Sequence, residues 1–196
     1  WWAWLILRTT GVRVRGAGLE HLVPGQSYVV AANHQSIYDI PILFTALPLD
    51  LRIVAKESLG RIPFMGWHLR RTGHVLVDRN NPGAGILKRM AQIVGAARSV
   101  LIFPEGTRSA DGAVGRLKGG DFLLAIDSAL PVVPVSVTGS RFIMRKGELM
   151  VCPGEVTVTV HPPVETAGIG REAARALASQ VREVVESRAG DRSSAA

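Results

Sequence analysis

The stretch Tyr28-Val29-Val30-Ala31-Ala32-Asn33-His34-Gln35-Ser36-Ile37-Tyr38-Asp39-Ile40-Pro41 decides how the chain is read. Residues 28–32 form a short apolar run of the kind that makes a buried strand. A polar loop follows at once. Pro41 then stands where the first turn of a helix accepts a residue without an N–H. The pattern is strand, loop, helix, with His34 in the loop and Asp39 near the helix start. Further apolar, β-branched runs lie at 52–55, 74–77, 100–103, 132–137 and 156–160. Helical spacing appears between and after them. At 86–97, Ile86, Met90, Ile93 and Ala97 share a face. At 171–188, Leu177, Val181, Val184 and Val185 point inward and charges outward. Strands alternating with helices predict an α/β domain, one sheet flanked by helices. Thr157-Val158-Thr159 alternates as a half-exposed edge strand would.

The run 100–103 leads into a second polar stretch, Phe103-Pro104-Glu105-Gly106-Thr107-Arg108-Ser109. It places Glu and Arg at the carboxyl edge of a sheet, where α/β folds bind ligands. Arg108 offers a planar fork suited to phosphate. Alternatively, Arg108 pairs with Glu105 across a simple turn. Arg116 and Lys118, in a glycine-containing loop, add two cations.

On a continuous helix, residues five apart point about 140° away from one another. A contact between His34 and Asp39 therefore needs the loop. Imidazole can take a proton near neutral pH, and a carboxylate beside it fixes the tautomer and stabilises the imidazolium. A bound substrate hydroxyl can then serve as nucleophile. Spacing alone equally allows Asp39 as a helix N-cap and His34 as a surface loop residue.

The 196 residues suit a single domain with a sizeable core. One cysteine, Cys152, excludes an internal disulfide framework. The five histidines show no metal-ligand spacing, and no metal is expected. The net charge of +7 points to anionic partners. Basic stretches interleaved with aromatics, zinc-finger spacing and RNA-binding sheet signatures are lacking, so nucleic acid is not expected. The chain opens on Trp1 and reads as processed or as a piece of a longer one. Its hydrophobic start, Trp1-Trp2-Ala3-Trp4-Leu5-Ile6-Leu7, is too short to span a bilayer. It suits the tail of a longer helix or an interfacial anchor, with Arg8 at headgroup level; packing on the domain is the alternative. No other window is apolar for long enough to span.

The two polar stretches resemble blocks of the glycerolipid acyltransferase family that contains the 1-acyl-glycerol-3-phosphate acyltransferases. Residues 33–39 match Asn-His-x-Ser-x-x-Asp, and residues 103–109 match Phe-Pro-Glu-Gly-Thr-Arg-Ser throughout. The second block, Gly-x-x-Phe-Ile-x-Arg, appears as Gly73-His74-Val75-Leu76-Val77-Asp78-Arg79, with Leu and Val for Phe and Ile. A Val-Pro-rich strand at 131–137 stands for the fourth block. The segment from Lys56 to Gly66 resembles what precedes the second. The likeness runs over roughly residues 20–165, in the family's order.

The resemblance implies a mixed sheet flanked by helices and a transfer of a fatty acyl group from acyl-CoA or acyl carrier protein to the sn-2 hydroxyl of lysophosphatidate. It implies His34 as general base and Asp39 as its support. Arg79 and Arg108, with Lys56 as a weaker candidate, would bind the acceptor's phosphate. Glu105, Gly106 and Thr107 would shape the acceptor site. No cofactor is expected beyond the thioester co-substrate. The expected place is the membrane surface, at the cytoplasmic face of the cell membrane. The expected divisions are 1–10 as a membrane-facing segment, 11–190 as the acyltransferase domain and 191–196 as a fraying tail. The alternatives are the same chemistry on another lysophospholipid or lyso-aminolipid, or a catalytically silent basic membrane-binding domain. His74 and His161 are expected to be structural, and Phe64, Met65 and Trp67 to pack in the core, with the lining of an acyl groove as the alternative.

Overall fold

The chain begins with helix α1 (Trp2–Thr9) and strand β1 (Val12–Ala17). The structure is a computed structural model that describes residues 2–56, 67, 71–77 and 98–189. Strand β2 (Val29–Ala32) leads through the His34 loop into helix α2 (Asp39–Ala46). Strands β3 (Leu51–Lys56), β4 (Val75–Val77) and β5 (Ser99–Ile102) follow. A 3₁₀ turn (Gly119–Phe122) runs into the short helix α3 (Leu123–Asp127). Strand β6 (Val132–Thr138), helix α4 (Ser140–Ile143), strand β7 (Gly154–Val160) and helix α5 (Ala174–Ala189) complete the order. The expected helix at 86–97, Phe64, Met65, Arg79 and the tail 191–196 lie outside the described residues.

The seven strands form one sheet in the order β1-β7-β6-β2-β5-β3-β4. Only β6 and β7 pair antiparallel; the other pairings are parallel, so the sheet is mixed as expected. β2 and β5 lie side by side at its centre, and all their residues are buried. Strands covered on both faces read as continuous apolar runs, and these do. One face packs Val30, Ala32 and Leu101 against Ile42 and Leu43 of α2 and Leu7 of α1. The other packs Val29, Ala31, Val100 and Ile102 against Phe122, α3 and Leu177, Val181 and Val185 of α5. Helices therefore leave β2 and β5 toward opposite faces, which opens a crevice at their carboxyl ends.

Two expectations need correction. β7 is not an edge strand: β1 pairs with it in parallel from Val12↔Gly154 to Ala17↔Thr159. The Thr-Val-Thr alternation reports a half-exposed face and carries no information about what lies alongside. Trp67 is 64% exposed, with the Arg71 guanidinium 5.4 Å from its ring centre, and so does not pack in the core. Proline in a central strand is unusual, yet Pro134 fits in β6. Its carbonyl faces β7's side and accepts from the His161 N–H at 3.0 Å. The missing N–H points the same way, just past the antiparallel ladder, which begins at Val135↔Val160.

Candidate active site

The site is built where β2 and β5 end. Asn33, the first residue beyond β2, uses its side chain to extend the sheet. Its Oδ1 accepts from the Val137 N–H at 2.7 Å and its Nδ2 donates to the Val137 carbonyl at 2.9 Å. This fixes the direction in which the loop leaves. Asp39 then reaches back over that loop. Its Oδ2 lies 2.8 Å from His34 Nδ1 and accepts the N–H groups of Gln35 at 2.7 Å and Ser36 at 2.8 Å. The contact that the spacing permitted is made. The N-cap alternative is not: Tyr38 holds that position, and no side chain caps the helix.

An ionised Asp39 can only accept, so His34 Nδ1 carries the proton and Nε2 presents its lone pair. Asp39 is fully buried, whereas the His34 side chain keeps 17% of its exposure. That combination gives a base open on one side and anchored on the other. One face of the ring is also covered: Phe103 stacks on it with centres 4.1 Å apart and planes 20° apart.

The His34 backbone is held from both directions by the β5 loop. Its N–H donates to Glu105 Oε1 at 2.8 Å, and its carbonyl accepts from the Ser109 N–H at 2.7 Å. Glu105 Oε2 accepts the Gly115 N–H at 2.9 Å. Glu105 is thus occupied by backbone amides, and among the described residues no ion pair joins it to Arg108. The turn that aims Glu105 inward closes through the Gly106 N–H on the Phe103 carbonyl at 2.9 Å. Gly106 takes φ of +75° there, a conformation other residues rarely adopt.

Arg108 is half-buried on this loop. Among the described residues its guanidinium has no hydrogen bond or ion pair to the protein, so it is open to a ligand. Thr107 is exposed, and Lys146 Nζ lies 3.3 Å from its Oγ1 while donating to the Arg108 carbonyl at 2.9 Å. Lys56 ends β3, two strands from β2. The structure thus gathers His34, Asp39, Glu105, Gly106, Thr107 and Arg108 at one edge. Arg79 lies outside the described residues. Among them no cluster of His, Cys, Asp and Glu could hold a metal.

Ser36 is explained by packing. It accepts from the Tyr38 N–H at 3.3 Å and donates to the Met144 carbonyl at 2.7 Å. His74 is buried and accepts the Ile53 N–H at 3.1 Å. The reading from sequence missed three contributors. Phe103 and Asn33 stand inside the quoted motifs, yet no local pattern marks the ring that stacks on His34 or the amide that pairs with Val137. Lys146 reaches the site from beyond α4, and nothing in its local sequence marks it.

A family profile described as Acyltransferase matches residues 13–138. The chain is 37% identical over 151 residues to the 1-acyl-sn-glycerol-3-phosphate acyltransferase BAT2, chloroplastic, of Brassica napus, which covers 75% of this chain and 44% of that one. It is 34% identical over 176 residues to the 1-acyl-sn-glycerol-3-phosphate acyltransferase alpha of Mus musculus, covering 88% of this chain and 62% of the relative. The chain therefore spans about half the length of the curated relatives it matches. The crystal structure of the 1-acyl-sn-glycerophosphate (LPA) acyltransferase PlsC from Thermotoga maritima superposes with a TM-score of 0.82 at 29% identity, covering 95% of this chain and 75% of that one.

Proposed function

Because the chain belongs to the acyltransferase family, we propose that it transfers a fatty acyl group from acyl-CoA or acyl carrier protein to the sn-2 hydroxyl of 1-acyl-glycerol-3-phosphate, giving phosphatidate. The observation that carries the reading is the His34 Nδ1 to Asp39 Oδ2 contact of 2.8 Å at the mouth of the β2–β5 crevice. His34 Nε2 takes the proton of the acceptor hydroxyl as its oxygen attacks the thioester carbonyl. The tetrahedral intermediate collapses, the carbon–sulfur bond breaks, and the imidazolium returns the proton to the leaving thiolate. Atoms and charges balance with the two substrates alone. Asp39 stabilises the imidazolium while it lasts. Such base catalysis is worth on the order of 10² to 10⁴ in rate.

The acceptor's phosphate falls to the open guanidinium of Arg108, with Arg79 and Lys56 as further cations. Glu105, Gly106 and Thr107 shape the acceptor's seat by fixing the loop. The lipid chains of acceptor and product suit a position at the membrane surface. The outer face of α1 supports that place: Trp4, Leu5 and Ile6 are 52, 56 and 36% exposed. The helix packs on α2, which carries Asp39, through Trp2 and Phe44 with ring centres 5.7 Å apart. No described helix is long and apolar enough to cross a membrane; the exposed apolar face of α1 suits contact with the interface.

The test is acyl transfer to lysophosphatidate in detergent micelles by the intact chain and by His34→Ala. Phosphatidate from the intact chain, with a loss of about a hundredfold or more in the variant, is the expected result. Equal product from both would remove His34 from its role. No product from either donor with any lysolipid would overturn the reading.

A further inference from the structure

Glu105 joins two regions. One of its oxygens holds the His34 N–H at 2.8 Å and the other the Gly115 N–H at 2.9 Å. From Gly115 the chain turns away from His34 toward α5. It runs along α5, where the loop, the turn at Arg171–Ala173 and the helix enclose an open groove of about 1300 Å³. Arg116, Lys118, Arg171, Arg175 and Arg182 line it, with Glu172 as the one acidic residue.

These cations are not equivalent. Arg171 lies 3.5 Å from Asp127, and Arg182 lies 3.2 Å from Glu186. Arg182 also donates to the Gly115 carbonyl at 3.2 Å and the Val114 carbonyl, which fixes the groove's wall to α5. The Lys118 N–H donates to the Pro104 carbonyl at 3.0 Å, which ties the same wall to the catalytic loop. Arg116, Lys118 and Arg175 are exposed, and among the described residues no ion pair occupies them. Three free cations in one anchored groove make a seat for a ligand bearing several phosphates.

The groove lies on the α5 face of the sheet, whereas α1 and α2 cover the opposite face. The exposed apolar face of α1 and this groove therefore lie on opposite sides of the sheet. A cationic groove on the face away from α1 suits an anionic, water-soluble ligand.

We infer that this groove binds the phosphate-bearing nucleotide end of coenzyme A, leaving the pantetheine arm to pass over the Glu105 loop to the crevice. The inference rests on the acyl-transfer reading. A coenzyme A molecule carries a diphosphate and a ribose 3′-phosphate, which gives each free cation an anionic partner. The groove thus selects the donor, and Arg108 the acceptor.

Calorimetric titration with free coenzyme A tests the groove without any reaction. Affinity for the intact chain should fall about tenfold or more in Arg116→Glu/Arg175→Glu, the size expected for two lost charged contacts at exposed sites. The milder pair Arg116→Gln/Arg175→Gln should fall less and in the same direction. Arg13→Glu/Arg15→Glu, on the far edge strand, makes the same change in net charge and should leave affinity within about twofold. Dephospho-coenzyme A should bind the intact chain more weakly. In turnover, the pair on α5's side should raise KM for acyl-CoA and leave KM for lysophosphatidate in place. No binding of coenzyme A by the intact chain, equal binding by the Glu pair, or equal weakening by the edge-strand control would each overturn the assignment. A KM effect confined to acyl carrier protein as donor would overturn it in favour of an acidic protein partner. If no acyl transfer occurs but coenzyme A binding fails in the Glu pair alone, the groove stands and the acceptor assignment falls.

Discussion

Asp39 Oδ2 accepts three hydrogen bonds at once, from His34 Nδ1, Gln35 N and Ser36 N. Its Oδ1 is buried with no partner among the described residues. An amide at this position must place its oxygen toward the three donors, which turns its NH₂ into the unpartnered side. Asp39→Asn therefore keeps the loop's hydrogen bonds while removing the charge that supports the imidazolium. The expected outcome is a folded protein whose kcat falls by about 10² to 10⁴; a loss below about tenfold would remove Asp39 from the base's support. Glu105 poses the complementary case. Its two oxygens each serve one amide, so Glu105→Gln sets an NH₂ against an N–H on one side. That should cost about 1–3 kcal/mol in denaturant unfolding and lower kcat by loosening the His34 backbone. The His34–Asp39 relation was legible because five residues and one proline confine it. The Glu105 contact was not, since 71 residues separate it from His34 and only the pairing of β2 with β5 brings them together.

Helix α1 has two faces with different duties. Ala3 and Leu7 are buried against the domain, while Trp4 and Leu5 stand more than half exposed at 52 and 56%. The two faces should separate in experiment. Trp4→Glu/Leu5→Glu is expected to weaken sedimentation with phospholipid vesicles at least about tenfold and to leave the melting temperature nearly unchanged, because both side chains are more than half exposed and Trp4 gives up only its contact with the Arg8 guanidinium, 5.9 Å from its ring centre. Leu7→Ala should do the reverse, costing about 2–5 kcal/mol of stability for a buried leucine. Unchanged vesicle binding by the Glu pair would dissociate α1 from the membrane. At this scale most of the sheet was legible: the six apolar runs fall within a residue or two of β2, β3, β4, β5, β6 and β7. β1 was not, because Val12-Arg13-Val14-Arg15 looks charged. It earns its place by pairing with β7 and burying Val12, a long-range fact that no local pattern carries.

The whole molecule holds α5 to the sheet through a polar seam whose charge state sets its response to acid. Ser136 donates to the Val185 carbonyl of α5 at 2.7 Å, which leaves His161 Nε2, 2.8 Å away, to donate to the Ser136 oxygen. Burial, reinforced by the neighbouring charges of Arg188 and His21, holds the His161 imidazole below its ordinary value of 6.5. The unfolded chain therefore binds more protons than the folded one as pH drops below about 6.5, so His161's contribution is complete above that value and is lost on acidification through the lowered one. Asp50 acts in a separate window. Burial opposes its ionisation, but the Arg52 and Arg98 guanidiniums outweigh burial and hold the carboxyl below 3.8. Its contribution is present above 3.8 and disappears as pH falls through the lowered value. Melting temperature followed from about pH 8 to about pH 3 should thus decline in two stages. His161→Gln cannot gain a proton and should flatten the upper stage while leaving the lower one; Asp50→Asn should flatten only the lower. An upper stage that persists unchanged in His161→Gln would show that another group couples α5 to the sheet.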